Sequence, residues 1–244
     1  GEHWRLPFSF SFSNRTSCQD LFLVTLQSSA CQNTAGKLDQ WAQATQLLPT
    51  ELDPIRDLNQ HQVGTPSPVA YGCQWGWLFE KRSFLITEKI PDADSLERRL
   101  PQYFYIARTA QTAYQRRAFI KQLAQFTRRF HDLGYRHRDL YLAHIFCDTK
   151  DKLYLIDLAR AFRPVIFQQR FLIKDLAQVF YSMPAQHFSR TDRLRLYLHY
   201  AGIKRLRHRD KSHIRRIVSK AQRMARHDKR HGRDVPFLSL APSA

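Results

Sequence analysis

The feature that most constrains the fold of this sequence is a long amphipathic helix followed closely by a charged triplet and a short apolar strand. Apolar residues recur at three- and four-residue spacing over residues 109–133, and Gly134 stands where such a helix would end. The triplet His-Arg-Asp fills residues 137–139, and the apolar run 153–156 ends at Asp157. Because the first hundred residues contain the strand-like segments, we expect a β-rich beginning followed by a helical remainder.

Two aspartates in this region have the order and spacing of a protein-kinase-like catalytic loop and metal-binding segment. Phosphoryl transfer needs one carboxylate that orients and deprotonates the attacking hydroxyl, and Asp139 is the candidate for it. It needs a second that holds the magnesium at the β- and γ-phosphates, and Asp157 is the candidate for that. His144, five residues after Asp139, stands where kinases usually carry Asn, and it can ligate a metal or hydrogen-bond within the loop. The structural alternatives are a turn or cap residue at Asp139 and a strand-end cap at Asp157.

Longer motifs around these residues resemble the bacterial lipopolysaccharide kinase family, the inner-core heptose kinases and 3-deoxy-manno-octulosonic acid (Kdo) kinases. The motifs are His-Arg-Asp-Leu-Tyr-Leu-Ala-His at 137–144, Leu-Ile-Asp-Leu-Ala-Arg-Ala at 155–161, Lys-Asp-Leu-Ala at 174–177 and Ser-Arg-Thr-Asp-Arg-Leu-Arg at 189–195. The resemblance covers about residues 50–230. It implies an ATP- and magnesium-dependent kinase that phosphorylates a heptose or Kdo hydroxyl of the lipopolysaccharide inner core. It also implies a location at the inner face of the cytoplasmic membrane.

The fold that the resemblance and the element order predict is α+β, protein-kinase-like and bilobal. A small antiparallel sheet would form the N-lobe, residues 1–92, of which residues 1–48 are atypical. The helical C-lobe would span residues 93–244. The expected parts of the C-lobe are a catalytic loop (137–146), a metal-binding segment (155–160) and further helices (171–184, 190–201 and 210–230), of which those near the C-terminus are basic. The expected strands of the N-lobe are a buried one (21–26) and an antiparallel pair (69–72 and 84–88).

The remaining site residues are assigned through the resemblance. Glu51 falls on the αC glutamate that pairs with the nucleotide-binding lysine, although an acid in a first helical turn is also favoured by the helix dipole alone. Glu88, Lys89 and Ile90 correspond to the hinge, whose backbone would meet adenine. We expect Arg138 to be a catalytic residue that belongs, together with Arg160, to the charge network around the base or the substrate.

Asp175 resembles the buried carboxylate that braces the catalytic loop in kinases, which makes it a structural residue. The short stretch between Asp157 and Asp175 leaves no room for a long activation loop with a peptide-docking end. A sugar or another small acceptor is therefore expected rather than a protein.

The sequence departs from the kinase pattern at the phosphate-binding part of the N-lobe. Val24 and Thr25 stand in the strand where a lysine is expected, and no Gly-rich loop occurs between residues 2 and 35. The alternative function is therefore a pseudokinase or binding module of the same fold that has lost these contacts with the nucleotide.

The charge distribution favours an anionic partner. The chain has 39 basic and 21 acidic residues, and sixteen basic against four acidic ones lie in residues 190–244. Such a surface suits an anionic glycolipid and peripheral contact with an anionic membrane, through residues 204–233. A solvated helix face is the simpler reading. No zinc-finger spacing or aromatic RNA-binding motif accompanies the charge, so no nucleic acid is expected.

A cytoplasmic location is expected from the cysteines and from the lack of targeting signals. No apolar run reaches the length of a membrane-spanning helix, and residues 1–5 lack the layout of a signal peptide. Since the chain begins with Gly1, we expect a fragment, a processed form or a tag remnant. The four cysteines form no C-x-x-C pair, which favours reduced thiols over disulfides or zinc.

Overall fold

The structure, a computed structural model, describes residues 21–22, 27–28, 51–75, 80–103 and 110–238. The helices are α1 (Leu52–Gln60), α2 (Leu96–Tyr103), α3 (Ala110–Asp132), α4 (Gln168–Ser182), α5 (Arg190–Ala201) and α6 (His208–Arg230). The strands are β1 (Leu21–Phe22), β2 (Gln27–Ser28), β3 (Pro68–Trp75), β4 (Glu80–Glu88), β5 (Asp94–Ser95), β6 (Ile145–Cys147) and β7 (Leu153–Leu155). The predicted α+β class is confirmed.

The first sheet is organised around β4, with which β1, β2 and β3 all pair antiparallel. The β3–β4 pair contains the two strands predicted at 69–72 and 84–88, and Tyr71 lies opposite Leu85. Of the strand predicted at 21–26, the described part is β1, and the following residues 23–26 lie outside the described residues.

The second sheet carries the loop and segment that were predicted to be functional. Strands β5, β6 and β7 pair antiparallel in that order, and β6 follows directly on the 3₁₀ turn Leu142–His144. The carboxylate of Asp148 closes the β6–β7 turn by accepting the backbone N–H groups of Lys150 and Lys152 at 2.8 and 2.9 Å. This hairpin joins the loop that carries Asp139 and His144 to the segment that carries Asp157.

The helices follow the predicted periodicity closely. Helix α3 occupies nearly the whole of the predicted segment 109–133, and Gly134 follows it with φ 87°, as its role in ending the helix requires. Helix α5 begins with a capping box, in which Ser189 and Asp192 each accept the other's backbone N–H. The largest fully buried side chains of α3 lie on its core face: Ile120, Leu123, Phe126 and Phe130.

The turn that follows helix α1 is fixed against β7, the strand that leads into the candidate site. The backbone carbonyl of Gly64 accepts the N–H of Leu155 at 2.8 Å, and the Thr65 hydroxyl donates to the Leu155 carbonyl at 2.9 Å. A Cβ atom on Gly64 would lie 2.0 Å from the Leu153 carbonyl oxygen, so only glycine permits this approach. The buried side chains of α1 belong to the same hydrophobic core as those of α3. The division into lobes near residue 92 stays a prediction.

Candidate active site

A buried carboxylate on α4 holds the backbone of the predicted catalytic loop. The Asp175 side chain is fully buried and accepts the N–H groups of His137 and Arg138 at 2.8 and 2.9 Å. It also faces the imidazole of His131 at 3.3 Å. Arg138 has a φ of 71°, in the left-handed region that non-glycine residues rarely adopt. The structural role predicted for Asp175 is confirmed, because its contacts hold the backbone in this uncommon conformation.

Two further residues of α4 brace the loop, and sequence reasoning missed both. The amide of Gln178 accepts from the backbone N–H of Leu140 at 3.0 Å and donates to the carbonyl of Arg138 at 2.7 Å. The hydroxyl of Ser182 accepts from the N–H of Leu142 at 3.1 Å. Together with Asp175 these residues lie at i, i+3 and i+7, so a polar stripe on an otherwise apolar helix is the signal that could have found them.

The candidate base, Asp139, lies between two cations. Its carboxylate accepts a hydrogen bond from the Arg160 guanidinium at 2.6 Å, and the Lys174 ammonium lies 3.9 Å from its other oxygen. Burial lowers the pKa of Lys174, while the nearby Asp139 carboxylate opposes that shift. Sequence reasoning linked Arg160 to this network, but it used Lys174 only as part of a motif. The Arg160 guanidinium and the Lys174 ammonium can together bind one anionic group beside the Asp139 carboxylate.

His144 and Asp157 face each other across the predicted metal position. The Nδ1 atom of His144 lies 2.7 Å from the Asp139 carbonyl oxygen, and because a carbonyl only accepts, Nδ1 carries the proton. In the neutral ring Nε2 therefore presents its lone pair, and it lies 3.7 Å from the Asp157 carboxylate. An imidazole nitrogen and a carboxylate at this separation suit two ligands of one divalent ion. No group of three or more His, Cys, Asp or Glu able to hold a metal is found in the described part of the chain.

His137, the first residue of the motif, contacts both the His144 ring and the segment that carries Asp157. It is fully buried, its Nε2–H donates to the Ile156 carbonyl at 3.0 Å, and its ring stacks on His144 with centroids 5.8 Å apart. Burial lowers the pKa of His137, which favours the neutral ring. The hydrogen bond ties the catalytic loop to the segment that carries Asp157.

Glu51 reaches the same segment from α1. Its carboxylate accepts the backbone N–H of Leu158 at 3.1 Å. Burial raises the pKa of Glu51, the Leu158 hydrogen bond opposes the shift, and the neighbouring Asp157 adds to it. Asp157 itself has a φ of 58°, so its backbone too is held in the left-handed region. The contact brings Glu51 beside the metal candidates, whereas Val24 and Thr25, which stand where its lysine partner is expected, lie outside the described residues.

The predicted hinge residues line a cleft on the first sheet. Glu88, Lys89 and Ile90 border a cavity of about 560 Å³, together with the Gly64–Ser67 turn and Tyr154. The backbone of Glu88 is fixed by its N–H bond to the Ser67 carbonyl at 2.9 Å.

Arg138 and Asp139 are adjacent in sequence, but their side chains have different partners. The Arg138 guanidinium lies over the Phe162 ring, 5.5 Å from its centroid. The cations within 4 Å of the Asp139 carboxylate, among the described residues, come from Arg160 and Lys174. The catalytic role predicted for Arg138 stays a prediction.

Comparison with known proteins identifies the family. The model of the lipopolysaccharide kinase (Kdo/WaaP) family matches residues 40–200. This chain belongs to that family. The lipopolysaccharide core heptose(I) kinase WaaP of Pseudomonas aeruginosa is 28% identical over 157 residues, which cover 62% of this chain. The chain spans 58% of the length of that relative.

A solved structure also resembles this chain. It is that of WaaP in complex with acyl carrier protein, with a TM-score of 0.62 and 28% identity. The match covers 72% of this chain and 75% of the other. The predicted protein-kinase-like fold is thereby confirmed, and kinase-family membership supports a phosphotransferase. Within the described ranges, no helix has the length and apolar character to cross a bilayer.

Proposed function

We propose that this protein is an ATP- and magnesium-dependent kinase that phosphorylates a heptose or Kdo hydroxyl of the lipopolysaccharide inner core. The observation that carries the proposal is the geometry around Asp139. Its loop is braced by α4, its carboxylate is exposed enough to meet a substrate, and two cations lie against it. Family membership supports the reaction class and the acceptor.

Asp139 would act as the base. Its carboxylate would orient the sugar hydroxyl and take its proton as the oxygen attacks the γ-phosphorus and the bond from that phosphorus to the departing ADP breaks. In the structure Arg160 occupies one oxygen of that carboxylate at 2.6 Å. The Arg160 guanidinium is about half exposed, so water can solvate it when the substrate hydroxyl takes its place on Asp139. The exchange therefore leaves no buried charge unpaired.

Asp157 and His144 are the residues that would hold a magnesium ion. Their donor set fits a divalent ion, since one carboxylate and one imidazole lone pair converge while the side chains stay partly exposed. Bound magnesium supplies charge neutralisation at the β- and γ-phosphates. Magnesium prefers oxygen, so Asp157 would be the principal ligand and phosphate or water oxygens would complete the set.

Lys174 and Arg160 would stabilise the phosphoryl group in the transition state of its transfer. Both lie against Asp139, where negative charge develops on the transferred group.

We further propose that Glu88, Lys89 and Ile90 bind adenine and that Glu51 helps to order the nucleotide site. Arg138 would steady the loop through its left-handed backbone, and the lobes would divide near residue 92.

The substrate is an anionic glycolipid, and the basic surface suits it. Helix α6 and the residues that follow it carry most of the basic charge of the C-terminal part, and peripheral contact with the inner face of the cytoplasmic membrane would present the acceptor sugar. Nothing in the motifs favours nucleic acid as a partner.

A pseudokinase is the second candidate, because residues 21–26, where a strand with that lysine was predicted, contain no lysine. A thermal-shift measurement with ATP and magnesium separates the two. Ligand that binds only the folded state raises its stability by RT ln(1 + [ATP]/Kd). A kinase should show a magnesium-dependent rise in Tm at millimolar ATP and transfer phosphate to a core acceptor. A chain that shows neither is a binding module of the same fold.

A further inference from the structure

Three consecutive apolar side chains project into solvent close to the proposed active site. Val165, Ile166 and Phe167 are 90%, 64% and 67% exposed, whereas side chains of these types are usually buried. We call residues 165–167 the apolar tip. It lies in the short segment between the turn that carries Arg160 and helix α4.

The base of the apolar tip is held firmly. Phe162 and Phe171, on either side of it, meet edge to face with ring centroids 4.9 Å apart. The backbone of Phe162 pairs with that of Arg136 through two N–H···O bonds of 2.8 and 3.1 Å. Phe167 has a φ of 56°, and its carbonyl accepts the N–H of Arg170 at 2.8 Å. The exposed side chains are therefore displayed by a fixed turn.

The charges around the tip indicate its partner. Residues 158–174 contain four basic residues and no acidic one. Arg170 is exposed beside the tip, while Arg160 and Arg163 are exposed on its other side. Arg160 and Arg163 also pair with the carboxylates of Asp139 and Asp57 at 2.6 and 2.7 Å. Apolar side chains that project beside exposed basic residues fit the interface of an anionic bilayer, where the apolar groups enter the acyl boundary and the cations, Arg170 first, meet phosphates.

We propose that the apolar tip inserts into the interface of an anionic lipid bilayer and so sets the position of the active site at the membrane. Val165 lies five residues after Arg160, so their Cα atoms are no more than about 18 Å apart. Arg160 in turn contacts Asp139. Insertion of the tip would thus keep the candidate base near the headgroup region, where sugars linked to a lipid anchor lie. The role of insertion in placing Asp139 near its acceptor rests on the proposed function, whereas the insertion itself does not.

Co-sedimentation with vesicles tests the insertion. The full chain would be mixed with vesicles of phosphatidylcholine containing phosphatidylglycerol, at low and at high salt. The test variant is Val165→Ser/Ile166→Ser/Phe167→Asn, where Asn tolerates the left-handed backbone. Tyr114→Ser removes a side chain that is 69% exposed on α3 and is the matched control.

The tip variant should bind these vesicles at least about tenfold more weakly, because burial of apolar surface scales with area. The wild type should retain part of its binding at high salt, where screening weakens the cation contacts. Tyr114→Ser should stay within about twofold of the wild type, as a surface change away from the tip. Wild-type-like binding by the tip variant, or a wild type that binds no vesicle, overturns the proposal. The double variant Val165→Ser/Ile166→Ser, which leaves Phe167 untouched, repeats the test if the triple variant fails to fold.

Turnover on two acceptors distinguishes this proposal from the proposed function. The tip variant should keep wild-type turnover on a water-soluble core oligosaccharide and lose it on the same acceptor embedded in vesicles. An equal loss on both acceptors assigns the tip to folding or chemistry and overturns its membrane role. If no variant and no wild type transfers phosphate to either acceptor, the proposed function fails while the vesicle result still decides the insertion.

Discussion

Replacing Asp175 by asparagine should weaken both the fold and the proposed catalytic loop. The carboxylate is fully buried and accepts the N–H groups of His137 and Arg138 at 2.8 and 2.9 Å. Asparagine keeps one acceptor oxygen and turns an NH₂ group toward the other donor. A hydrogen bond to a charged group contributes about 1.5–3 kcal/mol, and an unpaired buried donor adds its own cost. We expect the free energy of unfolding to fall by about 2–4 kcal/mol.

The same change should lower turnover more than nucleotide affinity. Arg138 is held with a positive φ, and without its anchor it can relax toward an ordinary conformation, which shifts Asp139 next to it. A misplacement of about 1 Å costs up to roughly 10²-fold in rate. Asp157 lies on the other segment and does not contact Asp175, so ATP affinity should change less than about threefold.

Urea unfolding and steady-state kinetics on the same preparations measure both effects. Asp132→Asn is the matched control, because that carboxylate is 65% exposed and its ion pair with Arg128 lies on the surface. It should change the free energy of unfolding by less than about 0.5 kcal/mol. If Asp175→Asn unfolds like the control, or if it turns over substrate like the wild type, the bracing role of Asp175 is wrong.

Three further predictions concern buried contacts. Gly64→Ala places a Cβ 2.0 Å from the Leu153 carbonyl, so we expect a loss of at least about 2 kcal/mol in urea unfolding; an unchanged midpoint would contradict the close approach. Burial raises the pKa of Cys147 to about 11, so at pH 8 this thiol should resist alkylation until the chain unfolds, as read by mass spectrometry; rapid alkylation of the folded chain would refute this. Burial acts to raise the pKa of Asp192, but hydrogen bonds from Ser189 and Arg195 hold it below the usual value. The stability it contributes is therefore present above its unfolded pKa of about 3.9 and lost as the pH falls through the folded value, and Asp192→Asn should flatten that acid-side decline in Tm.

Much of the fold and part of the site could be predicted from the sequence because local patterns determine them. The 3.6-residue period determined α3, and the acids at 139 and 157 were recognisable by spacing alone. Asp175 could be assigned because its motif resembles the one that carries the bracing carboxylate in kinases, and the structure shows the expected contacts.

The rest depends on contacts between distant segments, which no local pattern encodes. Lys174 reaches Asp139 from another helix, and the proton position on His144 depends on one backbone carbonyl. Glu51 contacts the N–H of Leu158, more than a hundred residues later in the chain. An apolar run such as residues 165–167 is expected to be buried, and only the packing of its neighbours leaves it exposed.

The most direct test of the proposed function is transfer of the γ-phosphate of ATP to a lipopolysaccharide core acceptor, with ATP affinity measured separately for each variant. The wild type should transfer phosphate in the presence of magnesium. Asp139→Asn should lower turnover at saturating substrate by roughly 10²–10⁴-fold while ATP binding stays nearly intact. Asp157→Ala should lose both turnover and metal-dependent ATP binding. Wild-type turnover in Asp139→Asn would contradict its role as the base, and a wild type that binds ATP but phosphorylates no core sugar would contradict the proposed function.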